Sequence, residues 1–136
     1  KVCCRMLQLP IWKKNKNTGA WGEDQAVLYL LKQGYTLLCR NFHSRYGEID
    51  LIVQKDDIIA FVEVKTRAKG ALYSPAEAVT PAKQQKIVLT ALHYMEEYNS
   101  DLQPRFDVCE VYPVVVKRKK TAEINYLEDA FQVSAY

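Results

Sequence analysis

A chain of 136 residues, 49% of them apolar and 26% charged, is long enough for one domain with a core and too short for two ordinary ones. That usage excludes a disordered tail or a collagen-like fibre, and no apolar run nears the ~18 residues of a membrane span, so no membrane partner is expected. A net charge of +3 is too small to argue for nucleic acid by itself, although cations cluster at Lys13, Lys14 and Lys16 and again at Lys117, Arg118, Lys119 and Lys120.

The first stretch, "KVCCRMLQLPIWKKNKN", has no clear periodicity, and residues 1–17 read as an extension ahead of a single domain over 18–136. Its apolar part is far shorter than a signal-peptide core, so a cytoplasmic location is expected. The four cysteines form no C-x-x-C pair, which makes free thiols the expectation and a zinc knuckle improbable.

From Thr18, "TGAWGEDQAVLYLLKQG" carries apolar residues at helical spacing and ends in Gly34, predicting a first helix. "YTLLCRNF" reads as a strand, and "EIDLIVQKDDIIAFVEVK" as two more strands around a turn. After a loop with Gly70 and Pro75, Thr80 as N-cap and Pro81 at the first helical position open a second, longer helix, with Val88, Leu92 and Met95 as its apolar stripe. "RFDVCEVYPVVV" returns to strand character, with Pro113 marking a break, bulge or edge, and "EINYLEDAF" is a further strand or a terminal segment. The order α-β-β-β-α-β predicts an α/β fold with a mixed sheet flanked by helices.

The charges of residues 48 to 65 pose the functional question. If Asp56 and Asp57 form a two-residue turn, Lys55 pairs with Ile58, and the register carried down sets Asp50 opposite Glu63 and Glu48 opposite Lys65. Directly opposed carboxylates, with Cβ atoms roughly 4.5–5.5 Å apart, destabilise a sheet unless something compensates. A hard divalent cation does so, since Mg²⁺ prefers oxygen ligands. In a generic hairpin the Glu48–Lys65 and Glu63–Lys65 pairs would instead satisfy one another, and a three-residue turn would spoil the opposition. On the first helix, counting back along the stripe of Leu30 and Val27 reaches Glu23, an acid where the pattern asks for an apolar residue. Taken alone it is a first-turn acid favoured by the helix dipole, as Asp24 beside it is expected to be. Taken with Asp50 and Glu63 it is a further carboxylate aimed at one site.

A helix glutamate, then Asp50, then "EVK" at Glu63, Val64 and Lys65 resembles the PD-(D/E)xK, or restriction-endonuclease-like, nuclease superfamily, whose archaeal Holliday junction resolvases share the helix acid. More closely, "GAWGEDQAVLYL", "GEIDLI", "FVEVKTR", "RFDV" and "EDAF" resemble the YraN-like family of predicted endonucleases, in unbroken order from about Thr18 to Phe131. Ile49 stands where the superfamily has its proline, and Phe42–His43 where an aromatic–Arg pair is expected.

The resemblance implies a restriction-endonuclease-like core. It further implies Asp50, Glu63 and the Val64 carbonyl as ligands of Mg²⁺ (or Mn²⁺), Lys65 as the catalytic lysine and Glu23 as an accessory acid. Arg45, Arg67, Lys83 and Lys86 become candidate contacts to nucleic acid, although a solvated helix face explains Lys83 and Lys86 equally well. Asp107 is the next acid in line, as a ligand or a structural group. The implied function is metal-dependent hydrolysis of DNA by an endonuclease acting at branched or single-stranded DNA, with a homodimer implied by the junction-cutting relatives. The alternative is a nucleic-acid-binding or scaffold module that keeps the fold without efficient turnover.

Overall fold

The computed structural model describes residues 18–68 and 79–132. The expected extension over 1–17 and the loop with Gly70 and Pro75 lie outside them. The elements are α1 (Thr18–Lys32), β1 (Thr36–Ser44), β2 (Gly47–Lys55), β3 (Ile58–Thr66), α2 (Pro81–Glu97), β4 (Gln103–Val116) and β5 (Lys119–Leu127). The strands form one sheet in the order β1-β2-β3-β4-β5, antiparallel throughout except for the parallel pair β3–β4. The mixed α/β fold is the expected one. "EINYL" belongs to a fifth strand, while "EDAF" is a turn that hydrogen-bonds back through Ala130 N–H to Phe106 O and drops Phe131 into the core.

The helices cover opposite faces. Ala26, Val27 and Leu30 of α1 pack on Leu51, Val53, Ala60, Val62, Cys109 and Val111. Ile87, Ala91 and Tyr94 of α2 pack on Ile52, Ile59, Phe61, Phe106 and Val108. The apolar stripe of α2 is therefore one residue away from the expected one: Ile87, Thr90, Ala91 and Tyr94 are buried, and Leu92 is 54% exposed. Tyr94, edge-on to Phe42 and near Phe61, fixes that rotation of the helix, because its ring buries more apolar surface than Leu92 offers.

Local signals explain the ends. The Gly34 N–H bonds to Leu31 O and that of Tyr35 to Leu30 O, a Schellman stop for α1 with Gly34 at φ 91°. The Thr80 side chain accepts from Lys83 N–H at 3.2 Å and Pro81 opens α2, both as expected. Pro113 is tolerated within β4 because β3 stops at Thr66, opposite Val111. Beyond that point, among the described residues, β4 has a partner on one side only.

Cys109 carries a free, buried thiol, which burial pushes up to about 12. Cys39 is disulfide-bonded, against the expectation of free thiols throughout. Among the described residues no helix is long and apolar enough to cross a membrane.

Candidate functional site

The turn at Asp56–Asp57 has two residues, with Asp56 at φ 54°, and it sets the expected register over five pairs from Lys55–Ile58 to Leu51–Val62. There the ladder ends. β2 runs on beside β1 as far as Gly47, and β3 runs on beside β4 as far as Thr66. The sheet thus divides into a fork, and Asp50 and Glu63 are the first residues past its vertex.

The strict Asp50–Glu63 pairing expected from the register gives way to a side-chain bond: Asp50 Oδ2 accepts from Val64 N–H at 2.8 Å. Glu48 and Lys65 do not meet either. Glu48, following β1, pairs with the His43 imidazole at 3.2 Å on the exposed surface. Lys65 Nζ lies 3.4 Å from Glu63 Oε1.

Glu63 is 7% exposed, and its closest partner comes from α2: Lys83 Nζ at 2.7 Å. The cap at Thr80 sets where Lys83 stands, so a residue named for phosphate contact lies instead against the acid pair. The consequences for protonation follow from burial and proximity. Burial, reinforced by the charge of Glu63 and more weakly of Glu23, raises Asp50 to about 7, against the pull of its Val64 hydrogen bond. Burial also lowers Lys65, with Lys83 pushing the same way and Glu63 opposing. For Lys83 the desolvation is outweighed by its hydrogen bond to Glu63 and the charge of that group, so it is raised.

Glu23 does not join the pair. Its Oε1 accepts from Asn41 Nδ2 at 3.1 Å and from Arg40 at 3.4 Å, and burial raises it above the usual carboxylate range. Asp24 is not a solvated first-turn acid. It is buried, with Arg40 donating to its Oδ1 at 2.7 Å. Arg40 and Asn41 were invisible as site residues in the sequence; the signal would have been two adjacent helix acids that need a cation on the next strand. α1 reaches this end of the sheet because residue 22 is glycine: a β-carbon there would lie 1.9 Å from Thr66 Oγ1.

Of the remaining candidates, Arg67 turns inward onto the wholly buried Glu110 at 3.1 Å, its side chain 8% exposed. Tyr112 and Asn125 also donate to Glu110. Arg45 is exposed and stacks over Tyr46 at 5.0 Å, and Lys86 is exposed on α2. Asp107 is an internal acid: wholly buried, it accepts from Arg105, from the Tyr126 hydroxyl and from Asp129 N–H.

Among the described residues no three His, Cys, Asp or Glu side chains come together at ligand distances. The oxygen donors at the fork are the two carboxylates, with the Val64 backbone beside Asp50. That set suits a hard ion that keeps several of its own waters. Asp50 is raised mainly by burial, and Glu63 draws two ammoniums, those of Lys83 and Lys65, onto one oxygen.

The fold and fork together define a mixed α/β domain with a carboxylate–lysine site at the splayed end of its sheet. The chain belongs to the uncharacterised protein family UPF0102, whose model matches residues 22–111, from the α1 glycine packed on Thr66 to the end of the β3–β4 ladder. It is 44% identical over 124 residues to a UPF0102 protein of Clostridium perfringens strain 13, covering 89% of this chain and 98% of the relative. A UPF0102 protein of Syntrophomonas wolfei is 44% identical over 120 residues, covering 86% and 99%. One of Nitrosomonas europaea is 36% identical over 118 residues, covering 87% and 96%.

Proposed function

We propose that the protein is a Mg²⁺- or Mn²⁺-dependent endonuclease of the PD-(D/E)xK type, hydrolysing phosphodiester bonds in DNA. The observation that carries this reading is the fork itself. Asp50 and Glu63 stand together past its vertex, with the Val64 N–H on Asp50 and the Lys65 ammonium beside Glu63. Asp50, Glu63 and Val64 O would hold the ion, which when bound supplies Lewis acidity and a more acidic water. Lys65 places positive charge where a phosphate would gather negative charge, and its partial burial strengthens that effect. Asp50, fixed by Val64 N–H, keeps one oxygen oriented, and Glu23 tunes the charge at Asp50 from α1. Branched DNA and single-stranded DNA are the substrates proposed, with a homodimer as the assembly suited to cutting two strands.

Cleavage of a panel of single-stranded, duplex and branched DNA should require Mg²⁺ or Mn²⁺. Lys65→Ala should lower the rate by roughly 10²–10³-fold while leaving DNA binding intact. Cleavage that persists in EDTA, or that is unchanged in Lys65→Ala, would remove the reading.

The hold of Lys83 on Glu63 favours a second reading, a binding module whose lysine has replaced the ion. The two readings separate in Lys83→Met. If the ion displaces Lys83, removing the ammonium should tighten Mn²⁺ binding about tenfold, near 1.4 kcal/mol, in a calorimetric titration. If the lysine is the permanent counter-charge, the variant gains no such affinity.

A further inference from the structure

Past Val111, among the described residues, β4 and β5 pair only with each other, as a two-stranded arm. Val114, Val115 and Val116 pair with Thr121, Lys120 and Lys119, and β3 has already ended at Thr66. The arm points from the end of the sheet at which the fork opens. Val111 to Val116 is five residues, so its tip reaches about 17 Å beyond the last β3–β4 pair, at about 3.3 Å per residue.

Three observations set this arm apart from an ordinary hairpin. Its turn consists of Lys117 and Arg118 at φ 49° and 63°, a type I′ arrangement that favours Asn-Gly and that long L side chains adopt reluctantly. All four consecutive residues from Lys117 to Lys120 are exposed cations. Val115 and Val116 are 72% and 52% exposed, apolar surface carried out to the tip beside those charges. Near its tip the arm is steadied against α1, with Lys120 Nζ 4.1 Å over the Trp21 ring.

Lysines on an edge strand also guard against sheet-to-sheet pairing, which accounts for Lys119 and Lys120 on β5. It does not account for Lys117 and Arg118, which lie in the turn beyond the last pair, where no edge remains to protect. Cations held in an unfavourable backbone, at the end of a projecting arm, point to a polyanion as the partner.

We propose that the β4–β5 arm grips the phosphate backbone of DNA a few nucleotides from the fork, with Lys117 and Arg118 on phosphates and the two valines against sugars. This rests on the proposed nuclease function. At about 3.4 Å per phosphate along one strand, the arm's reach corresponds to about five nucleotides. The segment lies past residue 111, where the family match ends.

The test replaces Lys117 by Asn and Arg118 by Gly in the full chain, the pair that the turn prefers. Binding of a labelled 25-base-pair duplex and of one of its strands is measured in EDTA over a salt series, beside a melting curve. The variant should melt no lower than wild type, bind about tenfold more weakly in 0.1 M salt, and show a slope of log K against log salt shallower by about 1.8, from two cations at about 0.9 each. A variant that binds with unchanged affinity and slope overturns the arm proposal and leaves the fork untouched. A wild type that binds neither DNA at low salt overturns the DNA reading itself, and the arm with it.

Discussion

Asp50→Asn should raise the melting temperature of the metal-free protein at pH 8 and leave it nearly unchanged near pH 4. The folded-state value of Asp50 lies near 7, against an ordinary 3.8. Between those values the folded chain keeps a proton that the unfolded chain has lost. This stability is complete below about pH 4 and falls away as the pH rises through 7, by about 1.4 kcal/mol per unit, on the order of 4 kcal/mol in all. Asparagine keeps the acceptor for Val64 N–H and has no proton to lose, so the variant escapes that decline. At roughly 3–5 °C per kcal/mol for a chain of this size, the gain at pH 8 should be on the order of 10 °C. Millimolar Mg²⁺ should stabilise wild type and not the variant, because an ion that binds only the folded, ionised pair acts by mass action. Melting curves at the two pH values, in EDTA and in Mg²⁺, check all of this. A variant that melts lower than wild type in EDTA at pH 8 would make Asp50 a structural acid with a protein partner.

Asp107→Ala should do the opposite. Its carboxylate is wholly buried and answers three donors at once, Arg105, Tyr126 and Asp129 N–H. Its hydrogen bonds hold Arg105 well above the usual guanidinium range, and burial together with its charge raises Tyr126. Truncation leaves those partners buried and unmatched, a loss of about 3–5 kcal/mol, or on the order of 10–20 °C in melting temperature. The Mg²⁺ increment should survive, since both oxygens of Asp107 are taken up by Arg105, Tyr126 and Asp129 N–H. If the increment disappears while stability holds, Asp107 belongs with the metal ligands.

These two acids mark how far the sequence could be read. Asp50 was legible because one two-residue turn sets the whole register, so counting from Lys55–Ile58 places each residue down to Leu51–Val62. The end of that ladder was not legible, since splaying depends on what β1 and β4 hold on either side. Glu48 therefore went to His43 rather than Lys65. Asp107 sits in a strand whose apolar neighbours leave its role open, and two of its donors, Tyr126 and Asp129 N–H, lie 19 and 22 residues further on, distances that a local pattern does not encode. The caps of α2 were clear from Thr80 and Pro81, whereas its rotation was decided by Tyr94 packing on aromatic rings that meet only in three dimensions. Lys83 looked like a surface cation for the same reason.

The single parallel pair in the sheet gives the site a history in folding. β1 to β3 form a meander of local hairpins, so Asp50 and Glu63 come together through short loops that close early and cheaply. Lys83 belongs to the crossover that carries the chain from β3 to β4, twenty residues beyond Glu63, and reaches the acid only when that longer loop has closed. The repulsion is thus present in the meander alone, and its relief waits for α2 to dock. A divalent ion in the folding medium would offer the same relief without waiting, which would tie the rate at which the halves of this sheet join to the ion proposed for its finished form.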